Sequence, residues 1–330
     1  MDVVWQTKFG PATEFERQFI SEVTLKACEC EHYFDESRYQ KIADNPLIVF
    51  STDIPQRAPT ELLAYFEKLD VFNLFHTGCE RLDHDTSYYR RASVVLRSYY
   101  DPRLPADNTY FLPLGFQSGF MNPDPGGLSG RRDFIWCFAG QVKSHRARML
   151  AAFQGLGPHF VHITKTWADP NGLDVDQMKR IYSSSMFALC PFGNRNPDSF
   201  RIMEALEWGC IPVTLKFLGG EDYFRYIYGD HPFIVAKSWK DACGLVEELL
   251  RDPDELSRRQ HAAMQWYQNF KADLAEDVSQ ILSQPKQARM LKSKQFAYQA
   301  GGQSRFIRTL YDRYYGRGAL RRLYRWFVSL

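Results

Sequence analysis

The sequence predicts an α/β protein of two Rossmann-like domains, and three observations carry that expectation. At 330 residues the chain exceeds what one small core organises and suits two cores of ordinary size. Its second half alternates short apolar runs with helical patterns, as a parallel sheet with crossover helices requires. Between the halves, Asn122-Pro-Asp-Pro-Gly-Gly-Leu-Ser-Gly130 breaks both periodicities and marks a linker. Domains are therefore expected at 1–125 and 131–284, followed by a basic segment at 285–330.

In the second half, strands are expected at Phe134–Ala139, His159–Thr164, Met186–Cys190, Ile211–Leu215 and Phe233–Ala236. Helices are expected at Lys143–Phe153, Asp174–Ser184, Ser199–Trp208 and Trp239–Leu250. The strand runs are rich in Val, Ile, Leu and Phe because a sheet covered on both faces needs near-continuous apolar side chains. The first half repeats the style less clearly. A helix at Glu14–Ala27 precedes a strand at Leu47–Ser51 and a helix at Thr60–Leu69, then strands at Val71–Phe75, Ser93–Leu96 and Thr109–Pro113. No Gly-x-Gly-x-x-Gly follows any strand, which speaks against a dinucleotide oxidoreductase.

Composition is that of a globular protein at 45% apolar and 24% charged, with a surplus of aromatic residues at 15% that serves packing or sugar platforms. The formal net charge of +2 hides a split: residues 286–330 hold eleven Lys and Arg against Asp312 alone, leaving 30 basic and 38 acidic residues elsewhere. Seven cysteines with no C-x-x-C pair suggest neither a disulfide framework nor a zinc site, so reducing cytosol is the expected compartment. The first residues, MDVVWQTKFG, lack a basic stretch followed by an apolar one, and no long apolar window occurs, so neither a signal peptide nor a membrane span is expected.

The stretch Cys190-Pro-Phe-Gly-Asn-Arg-Asn-Pro-Asp-Ser-Phe-Arg-Ile-Met-Glu-Ala-Leu-Glu-Trp-Gly-Cys-Ile-Pro-Val213 carries most of the functional information. It reads as a strand end, a glycine loop, a capped helix and a second strand. Pro197-Asp198-Ser199 offers N-cap oxygens, and the helix start points free N–H groups and a positive dipole end at the crevice above the strand ends, a place for an anion. Arg201 and Glu204 lie three apart on one helix face, a cation for a phosphate and a carboxylate one turn deeper for a ribose diol. Gly193 lets backbone approach a ligand, and Phe192 beside it suits nucleobase contact.

The run Ser199-x-Arg201-x-x-Glu204-Ala205-Leu206-x-x-Gly209-Cys210-Ile211-Pro212-Val213 resembles the signature of exostosin-like glycosyltransferases, with weaker similarity at Phe138-x-Gly140, Val95-Leu96-Arg97-x-Tyr99-Tyr100 and Pro113-Leu114-Gly115-Phe116. The resemblance implies a GT-B fold: two Rossmann-like domains facing a cleft, the nucleotide-sugar in the C-terminal one, the acceptor nearer the N-terminal one, and a last helix returning to the N-terminal domain. It also implies work without bound metal, and no Asp-x-Asp-type triplet opposes that. Retaining relatives often carry a second Glu eight residues before the ribose-binding one; Asn196 stands there, which favours inversion.

Expected donor contacts are Gly140, Lys143, Arg146, Phe192, Gly193, Arg195, Ser199, Arg201 and Glu204. Lys143, Arg146 and Arg201, with Arg195 behind them, would neutralise the departing diphosphate; cations at a helix start oppose its dipole and so ask for a functional reason. An inverting displacement also needs a base for the acceptor hydroxyl. His76, Glu80, Asp83, His84 and Asp85 cluster past the strand Val71–Phe75; related sequences place an acidic residue after a His-containing strand end, which fits Glu80, with Asp83 and Asp53 in reserve. His76, Arg97 and Tyr99 are expected toward the acceptor.

From Arg305 to Leu330 seven arginines alternate with Phe306, Leu310, Tyr311, Leu320, Leu323, Tyr324 and Phe327, a pattern of two short amphipathic helices. They either strap the two domains together or meet anionic lipid on the inner membrane face, where a lipid-linked acceptor would be presented. Nothing else resembles a nucleic-acid module. The sequence thus points to a metal-independent, cytoplasmic glycosyltransferase with a nucleotide-sugar as substrate and no cofactor. A non-catalytic nucleotide-sugar or glycan-binding protein of the same fold is the alternative.

Overall fold

The computed structural model describes residues 1–5, 12–34, 45–51, 68–104, 108–125, 132–143, 146–166, 169–283 and 305–315. Asp53, nearly all of the expected helix at Thr60–Leu69, most of the glycine-rich half of the linker, and residues 316–330 lie outside them. The expected two-domain α/β architecture is present as two all-parallel sheets. In the first, strands β1 (Asp2–Trp5), β2 (Glu31–Tyr33), β3 (Leu47–Phe50), β4 (Asn73–His76), β5 (Val94–Ser98) and β6 (Thr109–Leu112) lie in the order β2-β1-β3-β4-β5-β6. In the second, β7 (Phe134–Gln141), β8 (His159–Thr164), β9 (Ser185–Leu189), β10 (Ile211–Leu215) and β11 (Ile234–Ala236) lie in the order β11-β10-β9-β7-β8.

The central strands are fully buried, as Leu47–Phe50 and Val94–Ser98 show, which is why their sequences are continuously apolar rather than alternating. Strand β8 sits at an edge and alternates between exposed and half-buried positions. In both sheets the chain starts one strand in from an edge, adds the edge strand and then crosses to the other side, which opens a crevice between β1 and β3 in one and between β7 and β9 in the other. Ligands of open parallel sheets bind above the strand ends at that point. The two sheets face each other across such a cleft, the GT-B arrangement.

Helix α1 (Ala12–Phe19) continues as a π turn at Ile20–Thr24, overlapping the expected Glu14–Ala27 but starting two residues earlier and ending three residues sooner. Around the second sheet lie α2 (Arg146–Phe153), α3 (Val175–Ser183), α4 (Phe200–Glu207), the short α5 (Arg225–Tyr228) and α6 (Trp239–Leu250). Two strands, β1 and β2, and one long helix, α7 (Pro253–Ser283), add to the elements read from sequence. Asp252 caps α7 by accepting from the Glu255 amide at 3.0 Å, and Pro253 opens it where no amide partner is needed. Its 31 residues span about 46 Å at 1.5 Å per residue. That length carries Ser279 to the first domain, where its hydroxyl donates to Ala27 O at 3.2 Å.

A single apolar core runs from β1 through both domains, so the cleft walls are fixed to one another at its base. Polar links reinforce it: Trp208 Nε1 donates to Phe120 O at 2.9 Å, the Asn122 amide to Glu207 at 2.9 Å, and Lys271 pairs with the same buried Glu207 at 3.0 Å. Helix α8 (Arg305–Tyr315) closes the described chain and buries Ile307, Leu310, Tyr311 and Tyr315. Its Tyr311 ring meets Tyr100 of the first domain at 6.1 Å and Phe217 of the second at 6.0 Å. This part of the basic segment is therefore packed across both domains.

Candidate active site

The cleft between the sheets encloses about 480 Å³ and is lined from both sides. Of the expected donor contacts, Gly140, Lys143, Arg146, Gly193, Ser199, Arg201 and Glu204 line it. All sit at the ends of β7 and β9 or on the helices that follow, which places them at the crossing point of the second sheet.

Two glycines permit the closest approaches. Gly140 has φ +143°, and a Cβ there would overlap the Arg201 guanidinium. Arg201 instead lies flat along the strand end, donating from Nε and Nη2 to Ala139 O at 3.1 Å each, over the Phe138 ring at 5.7 Å. A Cβ at Gly193 would overlap a carboxylate oxygen of Glu80 reaching from the opposite domain. One glycine thus admits a cation and the other an anion.

Arg146 is 7% exposed and donates to Gln141 O at 3.1 Å and Phe192 O at 2.7 Å. Burial, and then the neighbouring charge of Arg201, bring its guanidinium down to about 10. A buried cation beside a half-buried one is costly, and an anion between them relieves the cost. The expected N-cap is corrected. Asp198 spends its carboxylate on the Leu114 amide of the first domain and the Tyr228 hydroxyl, both at 2.9 Å. Ser199 occupies the cap position without a side-chain cap bond, and its Oγ is buried without a partner. The first turn of α4 therefore keeps its amides free of a side-chain cap, beside a hydroxyl without a partner.

Glu204 is 5% exposed. Burial lifts its carboxyl to about 7, against Arg201, the Gln117 amide and the Tyr182 hydroxyl at 3.3 Å, all of which favour the ionised form. It is poised to exchange its proton when a ribose hydroxyl is offered.

Two expected donor contacts do not line the cleft. Phe192 turns into the core against Phe217 at 5.5 Å, and Arg195 lies behind the loop near Tyr314. An aromatic ring beside a glycine is easily drawn into an adjoining aromatic core, and sequence gives no sign of which side wins.

On the first domain, Glu80 lines the cleft. Its Oε1 accepts from the amides of Arg195 at 2.7 Å and Asn196 at 3.2 Å, and its Oε2 from Asn194 Nδ2 at 3.3 Å. Tyr99 also lines the cleft, held at φ +67°. The other N-terminal candidates stand apart from it. His76 and Arg97 are buried at 0% and 1% exposure, correcting their expected role toward the acceptor. Arg97 donates to His76 Nδ1 at 2.8 Å and to the Tyr89 hydroxyl at 2.7 Å, and His76 packs on Phe50 at 4.4 Å. Burial first, and Arg97 second, push the His76 pKa well below its usual value, so the ring is neutral.

Asp83, the reserve base, does not line the cleft either; it groups with Cys79 and His84, their ligand atoms within 4.8 Å. That trio is a poor cation site. With Arg97 donating to His76 Nδ1, the His76 proton sits on Nε2 and faces His84 Nδ1 at 3.4 Å. His84 then carries its own proton on Nε2 and has no lone pair left for a metal.

Sequence reasoning missed Phe15, Gln117, His162, Thr164, Asp174 and Tyr182 in the lining. Gln117 follows the Pro113–Phe116 run and Tyr182 ends α3, so both lie next to segments already singled out; the His162–Thr164 strand end became visible as a wall only once β8 was placed beside β7.

A family model described as the RXYLT1 C-terminal domain matches residues 127–286, the stretch holding the second sheet. Ribitol-5-phosphate xylosyltransferase 1 of Homo sapiens is 31% identical over 113 residues, 30% of this chain and 25% of that protein. The aligned stretch thus spans a quarter of that relative's length. Among solved structures, an α1,3-fucosyltransferase is similar with TM-score 0.48 at 10% identity, covering 84% of this chain and 90% of that one. The DNA-modifying β-glucosyltransferase gives 0.49 at 12%, covering 88% and 100%. Anabaena Alr3699/HepE in complex with UDP and glucose gives 0.48 at 9%, covering 86% and 99%. The sequence matches relate the chain to glycosyltransferases.

Proposed function

We propose that this protein transfers a sugar from a nucleotide-sugar donor to a glycan or lipid-linked glycan acceptor, with inversion and without a bound metal. The observation that carries the reading is the pairing of Arg146 and Arg201 beside the start of α4, where the Ser199 hydroxyl has no partner. Such a group of donors suits a diphosphate, and Glu204 one turn further along α4 suits the ribose of the same nucleotide.

In the proposed reaction the acceptor hydroxyl loses its proton to a carboxylate of the first domain as its oxygen bonds to the anomeric carbon. The bond from that carbon to the diphosphate breaks on the opposite face, and the electron pair leaves with the diphosphate. Arg201, Arg146, Lys143 and the α4 dipole stabilise the charge that develops there, the task that preorganised donors perform best. Glu80 is the favoured base because it lies on the facing wall; Asp53 remains in reserve. Inversion is supported by Asn196, which carries no charge and is fully buried at the place where a second carboxylate would sit.

A thermal-shift panel of UDP-, GDP- and CMP-linked sugars, followed by turnover assays on the one that binds, tests this reading. One sugar nucleotide stabilises the protein and is turned over at a rate that added Mg²⁺ or Mn²⁺ does not raise. Binding without turnover on any acceptor supports the non-catalytic alternative, and no binding overturns both. Residues Arg317, Arg321, Arg322 and Arg325 add a proposed attachment to anionic lipid, worth roughly 1 kcal/mol each near such a surface. Co-sedimentation with anionic vesicles, lost when the chain ends at residue 315, checks it. Among the described residues no helix is long and apolar enough to cross a membrane.

A further inference from the structure

The donor loop, residues 192–196, joins β9 to the segment that starts α4, and it makes few bonds of its own. The Gly193 amide donates to Asn196 O at 2.9 Å, and the remaining grips come from other elements. Arg146 holds Phe192 O, Glu80 holds the amides of Arg195 and Asn196, Tyr223 shares a hydrogen bond with the Asn196 side chain, and a further grip comes from the last described helix. There the Tyr315 hydroxyl donates to Arg195 O at 3.2 Å and accepts from Asn196 Nδ2 at 3.3 Å. A phenol has one proton to give, so this hydroxyl uses its donor and an acceptor site on the same loop.

Asn196 passes the restraint on. Its Oδ1 accepts from the Asp198 amide at 3.1 Å, while Asp198 ties the segment to Leu114 of the facing domain. Ser199 and Arg201 follow directly. Asn196 is 0% exposed and Tyr315 2%, so the bond between them is buried and its loss leaves the Asn196 amide short of a partner, while the bond to Arg195 O is half-buried. The Tyr315 ring is held independently of its hydroxyl, by Tyr314 at 4.8 Å, Tyr311 at 5.7 Å and the Arg103 guanidinium at 5.6 Å. The ring thus anchors helix α8, and the hydroxyl reaches the loop.

We infer that Tyr315 is a positioning residue for donor binding: helix α8 latches the 192–196 loop and so fixes the start of α4 in the geometry that receives the diphosphate. The inference rests on the proposed donor site and adds a residue more than a hundred positions away in sequence that has no contact with the ligand. It also explains why Arg195 faces away from the cleft. Its backbone, held by Glu80 on one side and Tyr315 on the other, is the gripped part of the loop.

Tyr315→Phe in the full chain removes both bonds and keeps the ring. Two readouts separate the latch from the donor reading. The first is amide hydrogen exchange without any nucleotide: peptides covering 192–200 exchange faster in the variant, while peptides of α7 and of the first sheet are unchanged. The second is donor titration by calorimetry and kinetics with the sugar nucleotide found in the panel: Kd and KM rise about tenfold as the loop leaves its binding geometry in the free protein, with kcat within about twofold. Unchanged exchange in 192–200 overturns the latch whatever the ligand. Faster exchange with unchanged donor affinity overturns its role in positioning. If the wild-type protein binds no nucleotide sugar, the donor reading fails and the positioning role with it, while the exchange data still decide whether α8 holds the loop.

Discussion

The ends of β7 and β9 and the ends of β4 and β5 carry polar side chains of similar kinds, yet the first set lines the cleft while His76 and Arg97 of the second are buried away from it. In the second domain the polar groups are only partly spent: Arg146 and Arg201 donate to backbone carbonyls and still line the cleft. Arg146 and Arg201 sit together, Ser199 Oγ lacks a partner, and the first turn of α4 has no side-chain cap. In the first domain they are spent on one another, Arg97 on His76 and Tyr89, under a cover of aromatic rings. Unsatisfied buried groups carry a cost that a ligand removes, whereas satisfied ones form a scaffold. By that rule the second domain is built to receive an anion. The first is built to hold two groups, Glu80 and Tyr99, in a fixed place.

The comparison is sharpened most by Glu80→Gln. The amide keeps an oxygen for the loop amides but cannot take a proton, so turnover falls roughly 10² to 10⁴-fold, as for loss of a general base. Donor affinity measured by calorimetry stays within a few-fold. Normal turnover would move the base to Asp53 or elsewhere.

Arg97→Met tests the other half of the contrast. Removing the guanidinium leaves His76 and Tyr89 without their shared donor and costs about 1 to 3 kcal/mol of stability, read as a lower midpoint in urea. Donor affinity at the surviving folded fraction is unchanged. A large loss of affinity with intact stability would mean that Arg97 reaches the ligand after all.

A smaller effect comes from protons. Burial raises Glu204 to about 7 and Asp198 to about 6 in the folded state, both above their usual values. Between the unfolded and folded values the native chain holds protons that the unfolded chain has given up. These two groups therefore cost no stability at pH 4, and the protein loses stability as pH rises through the window up to about 7. Melting followed from pH 5 to 8 shows that fall, and Glu204→Gln flattens it. Donor affinity runs the other way, rising with pH toward 7, because the ribose hydroxyls bind the ionised carboxylate. A donor affinity flat across this range in wild type would remove Glu204 from the ribose site.

How much of this was legible in the sequence follows the same divide. The second sheet could be read because its central strands are buried on both faces and two of its helices, α3 and α6, start at the side-chain caps Asp174 and Ser238. The Ser199 to Glu204 segment could be read because helix periodicity alone puts Arg201 and Glu204 on one face. Strands β1 and β2 were not visible: β2 carries polar Glu31 and His32 on a half-exposed edge, and β1 opens the chain with no turn signal before it. The burial of His76 and Arg97 was hidden for another reason. Whether a polar residue at a strand end faces ligand or neighbour depends on partners outside its own strand, here Tyr89 from the turn between β4 and β5. The capping error at Asp198 has the same origin, since its true partners, Leu114 and Tyr228, come from two distant segments.

The central claim is that the start of α4, with Arg146 and Arg201, is a diphosphate site. Calorimetric titration of UDP and GDP into wild type, Arg201→Ala and Glu204→Ala, with melting curves alongside, tests it most directly. One nucleotide binds wild type, both variants lose at least about a hundredfold in affinity, as for removal of a charged partner from a buried pair, and both melt within a few degrees of wild type. Equal affinity in wild type and Arg201→Ala, with both folded, would contradict the account.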